Sequence, residues 1–178
     1  MMTATTSSEA QFVTLGIDRE VFAVPVETVQ EILDLRTPFR LPDTPAYLLG
    51  LIDVRGQGVP VVDLRVKLGL SAAAATEHSR IIVLDVPMGA RRMVLGLLAD
   101  RVFEVAALKD QSITPPPDIG VRWRSDYIRG IGRHNENFVI VLDLEKLFSG
   151  EEAAYLGASR HSVPDEMRGD KAHAEAAA

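Results

Sequence analysis

The amino-acid sequence predicts a mainly β protein, built as two small closed barrels packed against each other with only a few short helices. Three observations predict it. The chain repeats itself at a fixed offset. Its apolar runs are strand-sized, rich in Val, Ile and Leu, and bounded by turn residues. Aromatic residues make up only 6% of a composition that is 47% hydrophobic, so small aliphatic side chains must fill the core.

Tyr47 to Gly69 overlays Tyr127 to Ser149 without a gap at an offset of 80. Tyr47 meets Tyr127, Gly50 meets Gly130, Val59 meets Val139, Val61 meets Val141, Asp63 meets Asp143 and Leu64 meets Leu144. The preceding segments correspond at an offset of 73: Phe22 with Leu95, Val24 with Leu97, Val29 with Val102, Glu31 with Glu104, and Ile32 with Val105. The difference, 80 − 73 = 7 residues, is taken up by the connector Leu108 to Asp126, which carries the stiff run Pro115-Pro116-Pro117. The organisation expected is one folded core over 11–150, with one lobe at about 11–70 and a second at about 80–150. Units of roughly 60 residues are marginal alone, so the two should bury apolar surface against each other.

Within the first unit, Phe12 to Ile17 and Glu20 to Pro25 form a hairpin about Asp18-Arg19. Leu51 to Val54 and Val59 to Val62 form another about Arg55-Gly56-Gln57-Gly58. In the second unit, Ile81 to Val86 and Met93 to Leu98 pair across Pro87 to Arg92, and the last hairpin turns at Asn135-Glu136-Asn137. Val59-Pro60-Val61-Val62 and Val139-Ile140-Val141-Leu142 are apolar at every position, which marks strands covered on both faces. One face fills a barrel and the other meets the sister lobe. Pro60 cannot donate to a ladder, which places its strand at an edge or at a break. Each unit closes with a short helix, Leu64 to Leu68 after Asp63 and Leu144 to Phe148 after Asp143; the repeat-matched aspartates read as helix caps rather than as an acid pair. Residues 1–10 read as a disordered N-terminus, and 151–178 as a short helical extension followed by a disordered Ala-rich tail.

Composition removes several functions. The net charge of −6 opposes nucleic-acid binding, which rests on phosphate contacts from a basic face. With no cysteine there is no disulfide, thiolate metal site or cysteine nucleophile. His78, His134, His161 and His173 are scattered without metal-site spacing. No nucleophile elbow or phosphate loop is present, and Gly56 and Gly58 lead into a strand rather than a helix. Arg122-Trp123-Arg124 reads as a connector with an aromatic lid, not a base-stacking platform. No secretory signal or membrane-length apolar run is visible. The expectation is a non-enzymatic module without cofactor. A small nucleic-acid-binding barrel or a ligand-sensing module is the alternative.

The stretch Gly50-Leu-Ile-Asp-Val-Arg-Gly-Gln-Gly-Val-Pro-Val-Val-Asp-Leu-Arg65 resembles the central motif of the CheW family of bacterial chemotaxis coupling proteins. So do Val29-Gln30-Glu31-Ile32, Gly96-Leu-Leu-Ala-Asp100 with Val102, and Tyr127-Ile-Arg-Gly130 followed by Leu142-Asp-Leu-Glu-Lys-Leu147, in the family's order from about Gln11 to Glu152. The resemblance implies two five-stranded barrels side by side. It also implies a stand-alone adaptor that holds the regulatory domain of the histidine kinase CheA to the cytoplasmic tips of methyl-accepting chemoreceptors. Such a protein works in the cytoplasm, recruited to membrane receptor arrays, without inserting into the bilayer or binding nucleic acid. Asp53 stands where the family usually has Asn, and Gly58 replaces a bulkier residue.

Positions matched in both copies serve the fold first, whereas Arg55 is matched only by Asn135 and is free to serve binding. The resemblance assigns Val29, Glu31, Ile32, Val54, Arg55 and Gly56 to receptor contact. The expected picture is a receptor helix in a groove near Val29, Ile32 and Val54, with Glu31 and Arg55 on its rim. The kinase should take a different patch on the second lobe, whose residues the sequence does not name.

Overall fold

A computed structural model of the chain describes residues 9–109, 112–116 and 125–148. The expected tail at 151–178, most of the N-terminal ten residues, Trp123, His161 and His173 lie outside the described residues. Among the described residues, ten strands and two short α-helices follow in order: β1 Glu9–Ile17, β2 Glu20–Pro25, β3 Val29–Asp34, β4 Leu48–Val54, β5 Gln57–Asp63, α1 Leu64–Lys67, β6 Arg80–Met88, β7 Arg91–Ala99, β8 Arg101–Lys109, β9 Ile128–His134, β10 Asn137–Leu142 and α2 Leu144–Leu147. The four expected hairpins are present, and β6 and β7 run further than predicted, pairing out to Met88 and Arg91. Both caps hold. The Asp63 carboxylate accepts from the amides of Arg65 at 3.0 Å and Val66 at 3.4 Å, and that of Asp143 accepts from Lys146 at 3.1 Å.

The strands form two five-stranded sheets that curl as half-barrels, ordered β8-β1-β2-β10-β9 and β3-β6-β7-β5-β4. The repeat units are therefore not the structural lobes. Each sheet takes a hairpin from one copy and three strands from the other, which corrects the expected division at 11–70 and 80–150. The reason is local. Only the 3-10 turn Val26–Thr28 separates β2 from β3, and only Asp100 separates β7 from β8. At both junctions the chain continues forward instead of reversing into a hairpin. It passes straight across into the opposite sheet.

Exchanging the copies turns one ladder into the other. Val13 pairs with Val105 as Ile32 pairs with Ile82, and Ala23 lies parallel to Val141 as Gly96 does to Val61.

Three apolar clusters result. A large layer between the sheets takes Leu15, Phe22 and Val24 from one copy and Leu84, Leu95 and Leu97 from the other, together with Val62, Ile140 and Leu142. Each sheet then encloses its own core: Ile52, Val59, Val61, Ile81 and Val83 in one, Phe12, Leu108, Val139 and Val141 in the other. The uniformly apolar strands β5 and β10 thus face a barrel interior with alternate residues and the shared layer with the rest. β5 is internal, so Pro60 is not on an edge strand. The parallel ladder to β7 begins only at Val61, so no β7 acceptor waits for a Pro60 donor.

Two matched glycines admit short crossing segments that cover the outer edges. Phe39 exchanges backbone hydrogen bonds with Leu51 at 2.7 and 2.8 Å, and Thr114 does so with Ile131 at 3.0 and 2.7 Å. A Cβ on Gly50 (φ +137°) would overlap the Phe39 carbonyl, and one on Gly130 would sit 2.8 Å from that of Thr114. Where the sheets meet at one end, Arg65 donates to Asp100 Oδ2 at 2.7 Å, and the same oxygen accepts from the Asp18 amide at 2.7 Å. This ties α1 to the first hairpin of the opposite sheet.

Two outcomes are expected. Residues 1–74 and 75–178 expressed separately should each lack a cooperative unfolding transition and regain one on mixing, checked by near-UV circular dichroism, because neither sheet is complete in either fragment. Gly50→Ala should destabilise the protein by about 3 kcal/mol in urea titration, combining an unfavourable φ with backbone overlap.

Candidate docking surface

β3 is one of the two outer strands of its sheet and carries three of the receptor-contact residues expected from the sequence. A two-for-one bulge places Gln30 and Glu31 opposite Val83, between the pairs Val29↔Leu84 and Ile32↔Ile82. Side chains of paired residues point to the same face. Val29 is therefore turned against the layer between the sheets, and Glu31 toward the barrel interior beside Val83. Ile32 continues the face of Ile82 outward and is 44% exposed.

The β4–β5 hairpin supplies the facing wall. Its turn is Arg55-Gly56, with φ of 53° and 82°, the positive pair that type I′ hairpins require. The Asp53 carboxylate accepts from the Gly56 amide at 2.7 Å and locks the turn. Arg55 projects over the groove, its Nε 3.7 Å from Glu31 Oε1, with the guanidinium side chain 85% exposed. A groove of about 270 Å³ results, lined by Gln30, Glu31, Val54, Arg55, Gln57, Val59, Val83 and Val94. The structure so gathers Glu31, Val54 and Arg55, with Gly56 in the adjoining turn. It separates them from Val29 and Ile32, which lie on the other face of β3. The single groove expected to hold Val29, Ile32 and Val54 together is instead an edge strand with residues on both sides.

The second sheet carries the same groove in different residues. About 380 Å³ is lined by Thr14, Val21, Phe103, Glu104, His134, Asn135, Asn137 and Val139. Each of these eight is the repeat equivalent of a residue in the first groove: Phe103 stands for Gln30, Glu104 for Glu31, His134 for Val54, and Asn135 for Arg55. The bulge is repeated, with Phe103 and Glu104 opposite Thr14, whose hydroxyl donates to the Glu104 carbonyl at 2.8 Å. Around this groove the surface is more apolar. Phe103, which lines this groove, is 51% exposed; on the other face of β8 and β10, Val105 and Phe138 are 54% and 67% exposed, and the Arg133 guanidinium lies 5.2 Å above the Phe138 ring. The duplication offset that located Arg55 and Glu31 also maps onto Asn135 and Glu104, so this face was accessible by transferring the first set across the repeat.

Among the described residues, no group of three or more His, Asp or Glu is placed to hold a metal ion. No described helix is long and apolar enough to cross a membrane.

A model of the CheW-like domain matches residues 11–152, the span over which the motifs run. The chain belongs to the CheW family. It is 35% identical over 144 residues to the chemotaxis protein CheW of Klebsiella aerogenes, covering 81% of this chain and 84% of that one. It is 33% identical over 145 residues to a probable chemotaxis protein CheW of Rhizobium etli, covering 82% and 91%. The crystal structure of the scaffolding protein TtCheW from Thermoanaerobacter tengcongensis superposes with a TM-score of 0.72 at 26% identity, over 82% of this chain and 96% of that one.

For a CheW-type chain the Asp53 departure now has a local meaning. Its carboxylate oxygen does the turn-locking work that an Asn side-chain oxygen can also do, so the exchange preserves the hairpin that presents Arg55. The guanidinium itself adds little to folding, since an exposed pair at this separation contributes at most a few tenths of a kcal/mol. Arg55→Ala should shift unfolding free energy by less than about 0.5 kcal/mol, measured by urea titration.

Proposed function

We propose that the chain couples chemoreceptor signalling tips to a CheA-type histidine kinase by docking both at once, one at each groove. The observation that carries this reading is the pair of grooves itself. They share one backbone frame, eight equivalent positions and the same bulge, yet differ in the side chains presented. A scaffold that must hold two unlike partners needs two such separately specified faces.

The receptor tip is assigned to the first face. A helix laid along the edge of β3 would rest an apolar stripe on Ile32 and reach Glu31, Val54 and Arg55 across the strand. Val29 would support the strand from beneath, and Gly56 would hold the turn open for the Arg55 side chain. Exposed arginine at a polar rim favours a partner with carboxylates or carbonyls. The kinase regulatory domain is assigned to the second sheet, where Phe103 in the groove and Val105 and Phe138 on the opposite face supply apolar anchors of the kind that dominate docking energetics. The chain would work in the cytoplasm, held at membrane receptor arrays through these partners.

The test is co-purification with a receptor tip and a kinase regulatory domain, separately and together. Arg55→Asp should weaken tip binding at least about tenfold, and Phe138→Asp should weaken kinase binding by a similar factor, with thermal midpoints unchanged in both. Normal tip binding by Arg55→Asp would remove the receptor assignment.

A further inference from the structure

The second groove is the first one with its guanidinium taken away. In the first, Arg55 leans over Glu31 from the hairpin turn, so the groove carries its own cation beside its carboxylate. The repeat puts Asn135 in place of Arg55 and Glu136 in place of Gly56, also at positive φ, 48° and 66°. The turn that brings a positive charge to one groove brings a negative charge to the other. The space is larger too, about 380 Å³ against about 270 Å³.

One wall has changed with it. In the first copy Gln30 donates to the Asp85 carboxylate at 3.4 Å, and Arg92 pairs with that carboxylate at 2.9 Å. In the second copy Phe103 stands for Gln30 and Gly16 for Asp85, since Gly16 pairs with Val21 as Asp85 does with Val94. A Cβ on Gly16 would come 3.2 Å from the Phe103 ring, so the missing side chain lets the ring lie against the strand. The ring lines the groove and stays half exposed.

The polar groups left at this groove are acceptors. His134 Nε2 lies 3.0 Å from Glu104 Oε1, which engages one carboxylate oxygen. Asn135 turns its side-chain nitrogen to His134 at 3.2 Å, and Asn137 donates its own to the Asn135 carbonyl at 3.2 Å. Glu104 Oε2 and the side-chain oxygens of Asn135 and Asn137 are left for a donor from outside. Among the described residues no Lys or Arg lines the groove. Arg101 sits beside Gly16 at the start of β8, and Arg133 stacks on Phe138 on the other face of the sheet.

Resting on the assignment of the kinase domain to the second sheet, we infer that the second groove receives an arginine side chain of that partner, which supplies from outside the guanidinium that Arg55 supplies to the first groove from within. An aromatic face, a carboxylate and two amide oxygens match a planar cation with five donors. An ammonium would use the carboxylate but gain less from the ring and the spread of acceptors. The partner's arginine stacks on Phe103 and pairs with Glu104, while Glu136 adds charge at the rim.

The test is calorimetry of a kinase regulatory domain with the full chain, for the wild type, Glu104→Gln, Asn135→Arg and Phe138→Asp. Asn135→Arg places a cation in the groove at a backbone angle that Arg55 already holds, and should block the site. Both groove variants should bind the kinase domain about tenfold more weakly and the receptor tip as the wild type does. Among the kinase domain's surface arginines, changed singly to alanine, one should weaken binding to the wild type about tenfold and leave binding to Glu104→Gln unchanged. Wild-type kinase binding by both groove variants, with Phe138→Asp still weakened, overturns the inference and leaves the docking reading standing. Coupling of Glu104 to a lysine of the partner instead overturns the guanidinium. Wild-type kinase binding by all three variants overturns the docking reading as well. Self-association of the chain that Arg55→Ala abolishes would put the guanidinium on a second copy and overturn its assignment to the kinase. Matching thermal midpoints show that the variants are folded when compared.

Discussion

The apolar layer between the two sheets is the constraint on which the rest of the molecule depends. Neither sheet has an apolar face that is complete without the other, and every hairpin that lines the layer comes from the copy opposite the strands it pairs with. A Leu or Val brought to full burial there contributes about 1.5–3 kcal/mol, so a layer of this size outweighs every polar contact at the surface. The interleaving adds a topological lock. Separating the copies would require unpairing β2 from β10 and β7 from β5, and also β1 from β8 and β3 from β6.

That arrangement explains why the two grooves can be built from thin, exposed elements. Each groove lies between an outer strand and a two-residue hairpin turn, neither of which has much burial of its own. Their positions are set from behind by Val59, Val83 and Val139, which belong to the enclosed cores. The matched bulges do the aiming, by turning Glu31 and Glu104 away from the shared layer and into the groove mouths. Specificity is then free to vary at positions that fold without it, such as Arg55 and Asn135. The triad of Asp18, Arg65 and Asp100 has no counterpart in the other copy, where Glu145 stands in place of Arg65, and so marks one end of an otherwise symmetric pair.

Much of this was legible in the sequence. Hairpin positions followed from turn residues, the caps followed from Asp63 and Asp143, and the two-faced burial of β5 and β10 followed from their unbroken apolar runs. The strands β3 and β8 were not assigned, because Val29-Gln-Glu-Ile-Leu-Asp34 mixes charge with apolar residues on both faces of an outer strand whose alternation is shifted by a bulge. The site was half legible. Arg55 and Glu31 do meet, but the bulge at Gln30-Glu31 sends Val29 and Ile32 to the far side, and a bulge has no reliable signature in composition. The second groove went unnamed because the first set was not carried across the repeat, which maps Glu31 and Arg55 onto Glu104 and Asn135.

The sequence by itself determined that the chain is two copies of one β unit, where its hairpins and caps fall, and which family it belongs to. These depend on local chemistry and on residue order. Only the tertiary structure decided which strands pair with which, because the period-two pattern of a strand reports the faces it buries and not the partner that covers them. The exchange of hairpins between copies takes place at two short junctions, Val26–Thr28 and Asp100, whose direction appears only when the chain is packed. The grooves inherit that packing, since each is walled by residues from both halves of the chain.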